Sequence, residues 1–245
     1  KDSGRVDWDQ KQVTRNNVRF GYLPEERGIY PKAKVSEQLH YFARLRGMSF
    51  SEAKTSMDYW LERLKATEYT HTVAERLSKG NQQKIQLISS IIHDPELLIL
   101  DEPFSGLDPI NTDLFKSVIQ ELLEKGKYII MSSHQMAAVE EYCREILILD
   151  QGETILAGNL KEIKHGYGRT NLFIDCEGDL ARFAQDEGIK NVIITASGFE
   201  LKITNDAQAY RLLDRIIKSG MMLNKFEIRE PSLHEIFVEL VGEKV

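Results

Sequence analysis

Short unbroken runs of branched apolar residues alternate along the first two thirds of the chain with longer segments of helical periodicity. The runs LLILD (97–101) and YIIMSS (128–133) predict buried β-strands, because a strand covered on both faces needs no polar positions. In the segments around them, apolar residues recur every three or four positions, as in an amphipathic helix. This alternation predicts an α/β fold whose parallel sheet is covered by helices on both faces.

Capping residues indicate where the helices begin and end. Ser36 and Gly47 are expected to bound a first helix, and Ser49 with Glu52 has the spacing of a capping box at the start of a second. Asp108, which precedes a proline, predicts the start of a helix after the first buried strand. We expect the helical segments within residues 27–80 to form a subdomain.

The pattern changes after Gly168. Six short segments follow in the order strand, helix, strand, strand, helix, strand, which is the order of the split βαβ, ferredoxin-like unit. A last helical segment, SLHEIFVELVG, closes the sequence. We therefore expect two domains, one of residues 1–165 and an α+β accessory domain of residues 166–245.

Composition and charge argue against several classes of protein. A net charge of −6 without a long basic run disfavours a non-specific nucleic-acid binder. No segment approaches the roughly 18 consecutive apolar residues that a membrane span needs. Cys143 and Cys176 lack the spacing of a metal site, so we expect two unpaired thiols.

Polar residues that could bind a ligand or take part in a reaction follow both buried strands. Asp101 and Glu102 end the first strand, and Ser133 with His134 ends the second. Ligands of parallel sheets bind beyond the carboxyl ends of the strands, and paired carboxylates there suit a hydrated magnesium ion beside a phosphate. The alternatives are that an acid caps the next helix and that His134 is an ordinary surface or core histidine.

A second candidate site lies at the mouth of the helix that begins near residue 79. Ser78 and Gly80 stand in the stretch LSKGNQQK, where backbone N–H groups and the helix dipole favour an anion such as phosphate. The alternative is an ordinary helix N-cap.

Four motifs, in order and at the usual separations, resemble those of ATP-binding-cassette (ABC) ATPases. LSKGNQQK is similar to the signature sequence, LLILDEP to the Walker B motif, SGLDP to the D-loop and SSH to the switch-histidine region. The resemblance covers roughly residues 15–165. Within the family, GYLPEERGIYPKAKV and PSLHEIF most resemble sodium-extrusion-type ABC ATPases, which carry a small accessory domain.

The resemblance implies a role for each matching residue. It implies that Asp101 holds magnesium through water, that Glu102 positions the attacking water, and that His134 contacts the γ-phosphate. It implies further that Ser78, Gly80 and Gln82 bind ATP held mainly by a second copy, and that Asp108 lies at the seam between copies.

Three positions depart from the family pattern, namely Glu25, Lys79 and Asn81, the last of which replaces the glutamine of the signature. Glu25 replaces the Q-loop glutamine, since LPQ here is LPE; a carboxylate can still bind magnesium but is repelled by phosphate. Lys79 replaces a signature glycine, and it either attracts phosphate or points into water.

The sequence contains no G-x-x-x-x-G-K-[ST] phosphate loop, which lies upstream of the matching region in this family. We therefore expect a chain truncated at its N-terminus, which hydrolyses ATP poorly or not at all and exposes apolar surface.

The expected function is that of the ATP- and Mg²⁺-binding subunit of a transporter. We expect it to form a homodimer with a separate transmembrane permease, in the cytoplasm on the inner face of the membrane. The alternatives are an ABC ATPase of DNA repair or translation, and a non-catalytic module that binds a ligand or partner through the accessory domain.

Overall fold

The computed structural model describes residues 3–14, 17–26, 28–189 and 191–242, which fall into two compact units. The units divide between His134 and Gln135. This division precedes the domain boundary predicted at residues 165/166, because Ile146 and Leu160 pack with Leu233 of the last helix in one apolar cluster. The boundary at 165/166 itself stays a prediction.

Among its described residues, the first unit contains five strands, four α-helices and two short 3₁₀ turns. The strands are β1 (Asp7–Trp8), β2 (Lys11–Gln12), β3 (Phe20–Leu23), β4 (Leu97–Asp101) and β5 (Tyr128–Ser132). The helices are α1 (Val35–Leu45), α2 (Phe50–Arg63), α3 (Lys79–Ile91) and α4 (Pro109–Glu124).

Three of these strands form the predicted parallel sheet, in the order β3-β4-β5. On one face Leu23, Leu98 and Leu100 are buried, and α3 approaches so closely that a Cβ on Gly21 would lie 2.0 Å from the Ser90 carbonyl oxygen. Only glycine fits this contact.

The prediction that helices cover both faces of this sheet is wrong for the described residues. Strand side chains alternate in direction, and those opposite the α3 face are exposed: Tyr22 by 48%, Ile130 by 58% and Tyr128 by 64%. The ring of Trp8 packs edge-on against Tyr128, 5.0 Å between centroids. The unbroken apolar sequence of the strands thus does not correspond to burial on both sides.

Two of the three capping predictions are confirmed. Ser49 and Glu52 form the capping box of α2, and Asp108 caps α4 by accepting a bond from a backbone N–H. The Ser36 cap is wrong, because α1 begins one residue earlier, at Val35, with Lys34 as its N-cap. There the Glu37 carboxylate accepts a hydrogen bond from the Lys34 backbone N–H, at the N-cap itself.

In the part of the second unit that the structure describes, there are six strands and five helices. The strands are β6 (Glu145–Asp150), β7 (Glu153–Asn159), β8 (Asn171–Cys176), β9 (Val192–Thr195), β10 (Gly198–Lys202) and β11 (Leu223–Arg229). The helices are α5 (Met136–Tyr142), α6 (Leu160–Tyr167), α7 (Leu180–Asp186), α8 (Asp206–Ser219) and α9 (Leu233–Gly242).

The order of elements from β8 to β11 confirms the split βαβ prediction. The sheet is antiparallel with strand order β11-β8-β10-β9, so β10 is inserted between the two strands that α7 connects. Its core is formed by one face of the sheet with α7 and α8, including Leu172, Ile174, Leu180 and Leu212. Cys143 and Cys176 are free thiols, as expected, and burial raises the pKa of each.

Candidate functional site

The carboxyl ends of β4 and β5 place Asp101 and Ser132 opposite each other in the parallel ladder. The Ser132 hydroxyl donates a hydrogen bond to one carboxylate oxygen of Asp101. Immediately beyond, the Glu102 backbone N–H donates to the Ser132 carbonyl, 3.1 Å away. The two strand ends are therefore joined by both side chains and backbone, which fixes the direction in which Glu102 leaves the sheet.

The Glu102 carboxylate is the centre of this group. It accepts hydrogen bonds from the backbone N–H of His134 at 2.7 Å and from the hydroxyl of Ser133 at 3.4 Å. His134 Nδ1 lies 2.8 Å from the same carboxylate. The prediction that these side chains converge is thus confirmed by the geometry.

The two partners differ sharply in exposure. The Glu102 side chain is 13% exposed, whereas the His134 side chain is 72% exposed. Because Nδ1 faces a carboxylate, it is assigned the hydrogen, and Nε2 remains the ring atom open to a ligand. Glu102 also has a backbone φ of +46°, which is uncommon for a residue with a side chain.

The signature stretch lies at the N-terminus of α3. Ser78 is its N-cap and accepts a bond from the Asn81 backbone N–H at 3.3 Å, so its hydroxyl makes the ordinary capping contact. Gly80 faces α4, where a Cβ would lie 3.2 Å from the Asn111 amide nitrogen. Asn111 in turn donates its side-chain amide to Asp108 at 2.6 Å, so it links the signature stretch to the D-loop.

Electrostatics at this junction favour the charged form of Asp108. The hydrogen bond from the Asn111 backbone N–H lowers the pKa of the Asp108 carboxyl. Lys84, one turn further along α3, is buried, and burial lowers the pKa of its ammonium while the charge of Asp108 opposes that shift.

Gln82, the third predicted nucleotide-binding residue of the signature stretch, is not exposed. Its side chain is buried, and its amide donates to the carbonyls of Ala74 at 3.0 Å and Leu77 at 3.2 Å. The next residue, Gln83, is half-buried, and its amide donates to the Pro103 carbonyl at 3.4 Å. A role for Gln82 in nucleotide binding stays a prediction.

Glu25 lines an open cleft of about 370 Å³ whose lining does not include Asp101, Glu102 or His134. The cleft is lined by Glu25, Glu26, Lys79, Gln83, Ser105 and Gly106. The structure therefore brings the Q-loop, signature and D-loop residues to one cleft, and the two strand-end motifs to one rim.

Sequence reasoning missed three side chains that shape these sites, namely Ser132, Gln86 and Asn111. The apolar run predicts only that Ser132 belongs to a strand, although its hydroxyl engages Asp101. Asn111 stands three residues after the Asp108 cap, a spacing that signals a capping contact. No pattern in the sequence indicates Gln86, a buried residue of α3 whose side-chain amide donates to the carbonyls of Pro24 and Glu26, both at 2.9 Å.

Family models match both ends of the chain. Residues 1–105 match the ABC transporter family, and residues 158–241 match the C-terminal domain of DrrA1-3-like ATP-binding proteins. An uncharacterized ABC transporter ATP-binding protein of Bacillus subtilis, YhaQ, is 47% identical over 98% of this chain and 80% of its own length. The chain belongs to the ABC transporter ATP-binding protein family. Membership implies ATP binding, and hydrolysis of ATP at family level.

Two further relatives of this ABC protein support the same family assignment. An uncharacterized ABC transporter ATP-binding protein of Alkalihalophilus pseudofirmus is 44% identical over 98% of this chain and 90% of its own length. A solved ATP-binding subunit of an ABC transporter matches with a TM-score of 0.57 and 30% identity, over 61% of this chain and 62% of that one. Among the described residues, no helix is long and apolar enough to cross a membrane.

Proposed function

We propose that this chain is the nucleotide-binding subunit of a membrane transporter, in which ATP held between two copies closes the dimer and hydrolysis reopens it. The observation that carries the proposal is the contact between Glu102 and His134 at the ends of neighbouring parallel strands. Ligands of parallel sheets bind at this edge.

Each member of the rim has a distinct task in hydrolysis. Glu102 orients the water that attacks phosphorus by accepting a hydrogen bond from it, because its carboxylate is held by the His134 backbone N–H and the Ser133 hydroxyl. His134 presents Nε2 to the γ-phosphate and the attacking water. Ser78 and Gly80 contact the nucleotide that the second copy holds. Asp108 lies at the seam between the two copies.

Magnesium would be held by Asp101 together with water and phosphate oxygens, and not by a cage of protein ligands. Among the described residues, no group of three or more His, Cys, Asp or Glu side chains could hold a metal ion. Magnesium needs only one or two carboxylates besides water and phosphate oxygens. One oxygen of Asp101 accepts from Ser132, and the other remains for the ion's hydration shell. When bound, the ion offsets phosphate charge.

The partners follow from this role. The subunit pairs with a second copy and with a separate transmembrane permease, at the inner face of the membrane. We expect these 245 residues alone to hydrolyse ATP slowly, because they include no G-x-x-x-x-G-K-[ST] loop to bind the phosphates.

The test is ATP turnover by the full-length protein purified with its membrane partner. His134→Ala is expected to lower turnover by about 100-fold or more, the contribution of a positioned proton-transfer or phosphate-contacting group. His234→Ala, on the exposed face of α9, is the control and should leave turnover unchanged. Turnover of the His134 variant within threefold of the unmodified protein, or sedimentation with ribosomes instead of a multi-span protein, contradicts the proposal.

A further inference from the structure

A second open cleft, of about 710 Å³, lies within the second unit of the molecule, and we refer to it as the sheet cleft. Residues of α5, α6 and α9 form its walls. Its floor is formed by side chains of the β8–β11 sheet, namely Asn171, Phe173, Ile193, Glu200, Lys202 and Arg229. Clefts that bind small molecules measure about 300–1,000 Å³, so the sheet cleft has the volume of such a site.

The register of the strands places the floor residues side by side. In β8 and β10, Leu172 and Leu201 point into the core with α7 and α8, so their neighbours along each strand point to the other face. On that face Glu200 lies opposite Phe173 of β8 and opposite Ile193 of β9. The Ile193 side chain is 61% exposed. The floor therefore presents apolar surface beside a carboxylate.

Among the described residues, each cation that borders the sheet cleft already has a carboxylate partner. The pairs are Lys164 with Glu140 at 3.1 Å, Lys202 with Glu235 at 2.7 Å, and Arg229 with Glu227 at 2.6 Å. An anionic ligand would have to displace one of these carboxylates in order to bind. The sheet cleft is therefore poorly suited to anions.

Two carboxylates that border the sheet cleft lack such a partner. Glu200 makes neither a hydrogen bond nor an ion pair with a described residue. It acts on Arg229 only at longer range, where its charge adds to the Glu227 hydrogen bond that raises the pKa of the guanidinium. Glu230 has only the exposed ring of His165 near it, at 3.4 Å. The sheet cleft thus holds negative charge that the described residues do not neutralise.

A buried hydrogen-bond acceptor borders the same cleft. The Asn171 amide nitrogen donates to both carboxylate oxygens of Glu235, at 2.8 and 3.0 Å. This contact fixes the orientation of the amide, because the reverse orientation would place oxygen against oxygen. The Asn171 carbonyl oxygen is buried and accepts no hydrogen bond from a described residue. Since an unpaired buried acceptor costs free energy, a ligand that brings an N–H donor is favoured here.

We propose that the sheet cleft binds a small organic amine. The ammonium group donates to Glu200 and to the Asn171 carbonyl, which are diagonal neighbours on adjacent strands. The charge of Glu230 adds to the attraction, and the apolar part of the amine lies against Ile193 and Phe173. A metal ion is a poorer match, because the described residues contain no group of three or more His, Cys, Asp or Glu side chains that could hold one. This binding site goes beyond the proposed function and does not depend on ATP.

Calorimetric titration of the full-length protein with phenethylamine and with hexylamine tests the proposal. We expect saturable binding of the amines with a Kd of about 1 mM or tighter, a typical affinity for molecules of this size. Phenethyl alcohol, which lacks the charge, should bind about threefold more weakly or worse, and the anion hydrocinnamate more weakly still. No saturable binding of either amine, or binding of the alcohol or the anion as tight as that of phenethylamine, overturns the proposal.

A carboxylate variant locates the binding site. Glu200→Gln should weaken phenethylamine binding by about two- to fivefold, the effect of losing one exposed charge interaction. Glu177→Gln, at an exposed carboxylate of the same unit that does not border the sheet cleft, is the matched control and should leave the Kd unchanged. An unchanged Kd with Glu200→Gln, or an equal loss with the control, overturns the assignment of the amine to this cleft. Because the titration needs no nucleotide, its outcome is independent of whether the protein turns over ATP.

Discussion

Glu102 and Glu235 are both carboxylates held by several donors, one in each unit of the molecule, yet their surroundings differ. Glu235, on α9, accepts from Lys202 at 2.7 Å, from the Asn171 amide at 2.8 and 3.0 Å, and from the backbone and hydroxyl of Ser232 at 2.8 and 2.9 Å. These donors belong to β8, β10 and the start of α9. The bonds therefore tie three elements together.

The donors to Glu102, by contrast, come from two adjacent residues, Ser133 and His134, in the loop after β5. The network ends in the His134 ring, which is open to solvent. We therefore expect Glu235, whose donors come from several elements, to stabilise the fold, and Glu102, whose donors come from one loop, to act on a ligand. The PSLHEIF motif has a structural role, because its serine, Ser232, and its glutamate, Glu235, form the capping box of α9.

Replacement of Glu102 should have the largest effect. Glu102→Gln removes the charge that positions water but keeps a hydrogen-bond acceptor for the His134 backbone. We expect ATP turnover of the full-length protein to fall by about 10²- to 10⁴-fold, with little change in the unfolding temperature. Glu124→Gln, an exposed residue of α4, is the control. A large loss of stability with Glu102→Gln would mean that this carboxylate, like Glu235, is structural.

The rim was predictable from the sequence because its residues follow strands that are evident from their apolar runs. Parallel pairing of β4 and β5 then brings Glu102 and His134 together. The cleft around Glu25 was not predictable, since its geometry depends on the Gln86 amide, which contacts a loop about sixty positions away in the chain. A buried polar side chain with a distant partner leaves no periodic signal.

Replacement of Glu235 is expected to act on stability instead. Glu235→Gln loses charge-assisted hydrogen bonds from Lys202 and Ser232, which we expect to cost about 1–2 kcal/mol of unfolding free energy, allowing for the partial exposure of the site. Chemical denaturation of the purified chain measures this loss. Glu239→Gln, on the same helix, is the control. Unchanged stability with a loss of ATP turnover would place Glu235 in a functional role and remove the contrast with Glu102.

The order of strands and helices from β8 to β11 was predictable because each segment is short, regular and bounded by turn residues. The exposed face of the β3-β4-β5 sheet was not. Apolar residues such as Tyr22 and Ile130 have the same sequence pattern whether a neighbouring element covers them or not. Periodicity reports which residues favour burial, and only the packing of other elements decides which of them are buried.

The smallest expected effect is a difference in acid sensitivity between the unmodified protein and Glu235→Gln. Burial opposes ionisation of Glu235, but the bonds from Lys202, Ser232 and Asn171 outweigh it and lower the pKa of the carboxyl from 4.5 to about 2. A carboxyl with a lowered pKa in the folded state contributes its stability above pH 4.5, and this contribution is lost as the pH falls towards 2. Between pH 5 and pH 4 the loss should be at most about 0.7 kcal/mol.

Urea titrations at these two pH values measure the difference, since the Glu235→Gln variant lacks the titrating group and should lose less stability over the same interval. Equal losses in both proteins would show that the carboxyl of Glu235 is not preferentially ionised by folding. The Lys202, Asn171 and Ser232 contacts would then hold α9 through shape and neutral hydrogen bonds. In that case charge would not distinguish the Glu235 cluster from the Glu102 rim, and only the number of elements joined at each carboxylate would.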